Sequence, residues 1–122
     1  MTPQELAEAS AQAMWDNDRA SQRLGMVVEQ IAPGQATLSM TVTEAMTNGH
    51  ENGHGGYIFT LADSAFAFAC NTYNAVTVGQ QASINYVAPA RLGDRLTATA
   101  IEASRSGRSG IYDVTVTNQD GR

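Results

Sequence analysis

The chain has 122 residues, 43% of them hydrophobic, enough for one compact domain with a real core and too few for two, so one domain over 1–122 is expected. A net charge of -5 excludes a surface built to track phosphate backbones, which needs clustered Lys and Arg in excess, so nucleic acid is not an expected partner. A single cysteine, Cys70, allows no intrachain disulfide and suits a reducing compartment. The opening residues MTPQELAEAS carry neither a basic region nor an apolar run, and no stretch approaches the roughly 18 apolar residues of a membrane span. A soluble, cytoplasmic protein is expected.

Thr2-Pro3-Gln4-Glu5 supplies an N-cap hydroxyl, a proline at the first helical position and a glutamate at the capping-box position. The spacing predicts a helix over about the first fifteen residues, with Leu6, Ala9, Ala13 and Met14 as its apolar positions. Asp16, Asn17 and Asp18 break it, and a second short turn through Arg19 to Leu24 ends at Gly25. From Ala36 to Thr43 the chain alternates, Leu38, Met40 and Val42 opposing Thr37, Ser39, Thr41 and Thr43, which predicts a strand with one buried face. The same period predicts strands over 82–87, 96–103 and 111–118, with RSGRSG at Arg105 to Gly110 as a hairpin turn.

Asn48 to Gly56 is a loop rich in glycine and asparagine, and YIFTLADSAFAFACN follows it. That second segment is apolar around its circumference, so it predicts a helix buried on all sides. The expected fold is α+β, a curved antiparallel sheet wrapped around one long central helix.

Asp63 is the only Asp, Glu, Lys or Arg between Glu51 and Arg91 and stands midway along this helix. An ionised carboxylate among apolar residues needs partners or a wet pocket. It is either a structural aspartate, paired for example with Arg91, or a catalytic one. Asn48, His54, Gly55 and Gly56 at the helix entrance favour catalysis, because unpaired N–H groups and the positive end of the helix dipole stabilise developing negative charge. A carboxylate, an amide side chain and free N–H donors together suit acyl transfer. No Ser lies in a G-x-S-x-G elbow, and Cys70 reads as a core cysteine.

His50-Glu51-Asn52-Gly53-His54 matches H-E-x-x-H, but that zinc signature needs both histidines on one helical face, and Gly49, Asn52, Gly53, Gly55 and Gly56 disfavour a helix there. No metal is expected. His50 is then a loop histidine, and His54 either positions the site or is a satisfied structural residue.

NGHENGHGGYIFTLADSAFAFACN and, after it, INYVAPARLGDRLTATA resemble the phenylacetic acid degradation thioesterases (PaaI) of the hotdog superfamily, over nearly the whole chain. The resemblance implies a hotdog-fold acyl-CoA thioesterase acting on phenylacetyl-CoA and its hydroxylated relatives without a cofactor. It also implies a homodimer, doubled to a homotetramer, with sites at the dimer interface. Asp63 of one protomer would then be base or nucleophile, the Gly55 amide of the other the oxyanion donor, and Asn48 and His54 would orient substrate or water. The substrate-binding set would be Gly56 with Arg91, Arg105, Arg108 and Ser109, the last three on the hairpin resembling one that lies along the coenzyme's nucleotide arm. For each arginine, a solvated surface position is the alternative. An acyl-CoA hydratase or dehydratase of the same fold, or a non-catalytic acyl-CoA binding protein, are the alternative functions. Two positions depart from the pattern: Gly79 stands where some relatives have a serine that assists water, leaving Thr77 or Gln80 for that role, and the chain ends at Gly121-Arg122 where relatives add another strand.

Overall fold

The computed structural model describes residues 1–49 and 51–122. The expected loop histidine, His50, lies outside the described residues. Helix α1 spans Pro3–Asn17 and opens with the predicted capping box, Thr2 Oγ1 accepting from the Glu5 N–H at 3.1 Å while Glu5 Oε1 accepts from the Thr2 N–H at 2.9 Å. Its buried face differs from the expected one. Ala7 and Ala11 are buried, with Met14 and Trp15 half-buried beside them; these positions follow the i, i+4, i+7, i+8 pattern, and Ala9 and Ala13 face solvent. Helix α2, Arg19–Arg23, starts on the Asp18 cap, and Gly25 follows it at φ 72.

Four antiparallel strands follow, in the order β1 (Val27–Ala32), β2 (Gln35–Thr41), β3 (Arg95–Ser106) and β4 (Ser109–Thr117). β1 has no counterpart in the sequence reading. A register shift between Val28 and Gln30 inserts Glu29 as a bulge, which breaks the two-residue alternation by which a strand is recognised. Pro33-Gly34, with Gly34 at φ 72, turns β1 into β2. On β2, Leu38, Met40 and the following Val42 are buried as expected.

Helix α3 covers Gly55–Cys70, and Leu61, Ala65, Phe68 and Ala69 pack against the inner face of the sheet. That face carries alanines at its centre: Ala36 is registered with Ala100, and Leu38 with Ala98. Small residues there admit Leu61 and Phe68, whose burial contributes roughly 1.5–3 kcal/mol each. α3 is not buried on all sides. Gly56 and Asp63 are exposed and Phe59, Thr60, Phe66 and Ala67 only half-buried; at three- and four-residue spacing these form one outward stripe, which a four-stranded sheet on the opposite side cannot cover.

The predicted strand over 82–87 does not form. Residues 75–90 have no ladder partner, and Val76 and Val87 are almost fully exposed. Phe66 meets Tyr112 of β4 edge-on at 5.7 Å between centroids, and its ring also lies 3.2 Å from where a Cβ on Gly79 would stand. The Phe66 ring thus stands between Gly79 and Tyr112 of β4.

Candidate active site

The entrance of α3 is held by short hydrogen bonds on either side. The Gly53 N–H donates to the Ala90 carbonyl at 2.7 Å and the His54 N–H to the Met46 carbonyl at 2.7 Å, while Asn48 donates its N–H to the Asn52 carbonyl at 3.0 Å. His54 is the N-cap: its Nδ1 accepts the Gly56 N–H at 2.9 Å. With Nδ1 as the acceptor, Nε2 is the ring nitrogen turned away from the cap. The cap commits the Gly56 amide, so Gly56 has no free N–H for substrate. The Gly55 N–H has no acceptor among the described residues and points out of the positive end of the helix. A cleft of about 380 Å³ opens there, lined among others by Asn48, Gly55, Ile58 and Tyr86. His50 of the H-E-x-x-H stretch lies outside the described residues; residues 51–54 are not helical, since α3 begins only after His54, and no group of metal-ligating side chains assembles among the described residues.

Asp63 lies on the exposed stripe of α3, without a hydrogen bond or an ion pair to any described residue. The alternative of a structural pair with Arg91 does not occur; the Arg91 backbone N–H instead donates to Asp94 Oδ2 at 2.9 Å. Ser64, which sequence reasoning did not single out, anchors this part of the helix. Its hydroxyl lies 2.8 Å from Ser21 Oγ, which in turn lies 2.6 Å from Asp18 Oδ2, tying α2 to α3 beside Asp63. Ser64 is half-buried on the apolar α3 and its partner Ser21 is buried on the short α2, so the link between them is a tertiary contact that leaves no periodic pattern in the sequence.

Gly55 and Asp63 are eight residues apart on one helix, about 12 Å of axial rise. An aspartate side chain leaning back towards the N-terminus closes only part of that gap, and an acyl carbon must come within about 3–3.5 Å of its attacker. One chain therefore does not bring its own Asp63 and Gly55 to one carbonyl. The arginines divide as well. Arg91 is exposed next to the entrance, bridged through its backbone to Asn52. Arg105 is near the other end of α3, its guanidinium carbon 3.6 Å from the Tyr73 ring centroid and its Nε 3.5 Å from Glu102 Oε1. Arg108 and Ser109 are exposed at the tip of the same hairpin, where Gly107 takes φ 61. Glu102 also accepts from the Tyr73 and Tyr112 hydroxyls at 2.9 and 3.1 Å. Burial, then the bond to Glu102, pushes both phenols above their ordinary range, so they remain neutral donors that hold the hairpin on the helix.

Of the residues weighed for assisting water, Thr77 is committed elsewhere. Asn71 Oδ1 accepts its N–H at 2.9 Å, Asn71 Nδ2 donates to its carbonyl at 3.0 Å, and its hydroxyl donates to the Ala75 carbonyl at 2.8 Å. Burial pushes the Cys70 thiol up, with the negative charge of Asp63 adding to the effect, which makes it a poor nucleophile at neutral pH.

A curved antiparallel sheet wrapped around one helix defines the hotdog fold, here with the Asp63 carboxylate on that helix and the Gly55 N–H at its entrance. The chain belongs to the Thioesterase superfamily, whose family pattern matches residues 50–122. It is 41% identical over 110 residues to the acyl-coenzyme A thioesterase PaaI of Escherichia coli (strain K12), covering 90% of this chain and 79% of that protein. The solved structure of the E. coli PaaI protein from the phenylacetic acid degradation operon superposes with a TM-score of 0.97 at 38% identity, over 99% of this chain and 88% of that one. A hypothetical thioesterase protein of Streptococcus pneumoniae TIGR4, solved with coenzyme A, superposes with a TM-score of 0.76 at 31% identity, over 80% of this chain and 78% of the other. No helix among the described residues is long and apolar enough to cross a membrane.

Proposed function

We propose that this protein, as one hotdog domain in the cytoplasm, hydrolyses aryl-acyl-CoA thioesters such as phenylacetyl-CoA and its hydroxylated relatives, at sites built between two copies of the chain. The observation that carries this reading is the 12 Å rise between an unpartnered Asp63 carboxylate and an unpaired Gly55 N–H on the same helix. Two copies related by a two-fold axis between their α3 stripes can set Asp63 of one beside Gly55 and Asn48 of the other, and they cover Phe59, Phe66 and Ala67 in doing so.

In that arrangement the thioester oxygen accepts from the Gly55 N–H and the Asn48 amide. Asp63 takes a proton from water as the water oxygen bonds to the acyl carbon; direct attack by the carboxylate is the alternative first step. Negative charge gathers on the oxygen held by the donors, each worth on the order of 3 kcal/mol in the transition state. Collapse breaks the carbon–sulfur bond, and the proton held by Asp63 passes to the departing thiolate, leaving a carboxylic acid and free coenzyme A. His54 serves by capping α3 and so aiming the Gly55 amide. Arg91, Arg105, Arg108 and Ser109 are the assigned contacts for the coenzyme's phosphates. The outer sheet face, where Thr37 is registered with Thr99 and Thr99 with Thr115 and where Arg95 pairs with Glu29, is the surface assigned to pairing of dimers into a tetramer.

Release of free thiol from phenylacetyl-CoA, followed with a thiol reagent, tests the reading. Rapid release is expected. Addition of water across an enoyl-CoA without thiol release would make the protein a hydratase, and tight binding without turnover would make it a carrier.

A further inference from the structure

Residues 75–90 have no backbone ladder, yet they pass the helix entrance in a defined position. One end is tied by Asn71 to Thr77 and the other by the Ala90 carbonyl to Gly53. Between these anchors, the hydrogen bond that joins the stretch to the rest of the described residues runs from the Tyr86 hydroxyl to the Gly55 carbonyl at 3.1 Å. The same ring packs on the Gly55 Cα so closely that a Cβ at Gly55 would lie 3.1 Å from Tyr86 Cε1, 3.2 Å from Cζ and 3.3 Å from the hydroxyl oxygen. Tyr86 is itself 55% exposed and lines the cleft with Asn48 and Ile58.

Two consecutive glycines open α3, and a Gly-Gly turn at a solvent-facing helix end has little intrinsic stiffness. An N–H donor stabilises an oxyanion in proportion to how well it is aimed beforehand. We infer that Tyr86 is a positioning residue: by bonding the Gly55 carbonyl and packing on its Cα, it holds the Gly55 N–H in the direction that the reacting oxygen needs. This rests on the reading of Gly55 as oxyanion donor. It also explains why the stretch carrying Tyr86 is placed here without strand pairing: its hydroxyl couples the order of that stretch to the geometry of the site.

The test combines Tyr86→Phe, which keeps the ring and removes the hydroxyl, with replacement of the Gly55 N–H by an ester oxygen through semisynthesis with glycolic acid. Thiol release from phenylacetyl-CoA is measured for each variant and for the pair, together with Tm. Tyr86→Phe is expected to lower kcat about fivefold, the equivalent of one ordinary hydrogen bond, with KM and Tm nearly unchanged because the phenol is exposed. The ester is expected to lower kcat about a hundredfold, and the pair to be no worse than the ester alone. Loss of activity in the ester with wild-type kcat in Tyr86→Phe would overturn the positioning role and leave Gly55 as donor. A rise in KM alone would reduce Tyr86 to a wall of the cleft and equally overturn it. Full activity in the ester would remove the donor role of Gly55, and the role of Tyr86 with it.

Discussion

The two halves of the candidate site are built in opposite ways. At the helix entrance nearly every polar group is committed: His54 caps Gly56, Met46 and Ala90 accept the flanking N–H groups, and Tyr86 holds the Gly55 carbonyl, so that the Gly55 amide stands free. Two turns on, Asp63 stands exposed among apolar neighbours, without a partner among the described residues. Donors that must be aimed in advance are fixed by the chain's own fold. On the proposed reading, a carboxylate that must meet water and substrate is left for its surroundings to be completed by another copy, seated on the uncovered stripe around it.

The contrast breaks most sharply at Asp63. Asp63→Asn is expected to lower kcat at least about a hundredfold while leaving Tm within a degree or two, since an exposed side chain without partners contributes little to folding. Turnover near wild type in the folded variant would remove Asp63 from the mechanism.

His54 should behave in the reverse manner. His54→Ala removes the cap and is expected to cost about 1 kcal/mol of stability and to lower kcat several-fold through a loosened Gly55, whereas His54→Asn, which can still accept the Gly56 N–H, should recover most of both. If Ala and Asn variants lose activity equally with unchanged Tm, the imidazole acts on substrate directly.

A smaller effect is expected at Asp94, which braces the turn beside Arg91. The Gln119 amide and then the Arg91 N–H hold its carboxyl below the ordinary range. A depressed carboxylate stabilises the fold above its unfolded pKa, and that contribution fades as pH falls through the lowered native value. Asp94→Asn should therefore reduce Tm slightly at pH 7 and have no effect once wild-type Asp94 is protonated; an equal loss at both pH values would assign the effect to packing.

Cys70→Ser is expected to leave kcat unchanged, and alkylation of the native thiol to be slow until the protein unfolds. Inactivation by rapid alkylation of the folded protein would return Cys70 to the list of reacting groups.

How far these features were legible in the sequence follows from what kind of signal each leaves. The α1 capping box, the alternation of β2, β3 and β4, and the apolar run of α3 are local patterns, and each appears where its residues place it. β1 was silent because its bulge at Glu29 hides the period. Ala82 to Val87 had the pattern of a strand and no strand formed, because pairing depends on a neighbour rather than on the residues themselves. Asp63, Asn48, His54 and Gly55 were conspicuous as polar or flexible residues bordering an apolar helix, but the separation of Asp63 from Gly55 follows only from the helix rise. Ser64 and Tyr86 act through single tertiary hydrogen bonds and leave no local trace.

The central claim is that one site draws Asp63 from one copy and Asn48 with Gly55 from another, and mixing two inactive proteins tests it most directly. Asp63→Asn and Asn48→Ala proteins are each purified, combined in equal amounts, and allowed to exchange subunits, with hybrid dimers verified by mass spectrometry. Half of the dimers should be hybrids, each with one intact site and one doubly defective site, so thiol release should recover to roughly a quarter of wild type when both parents are inactive. Verified hybrids with no activity above the parents would mean that each site is built within a single chain.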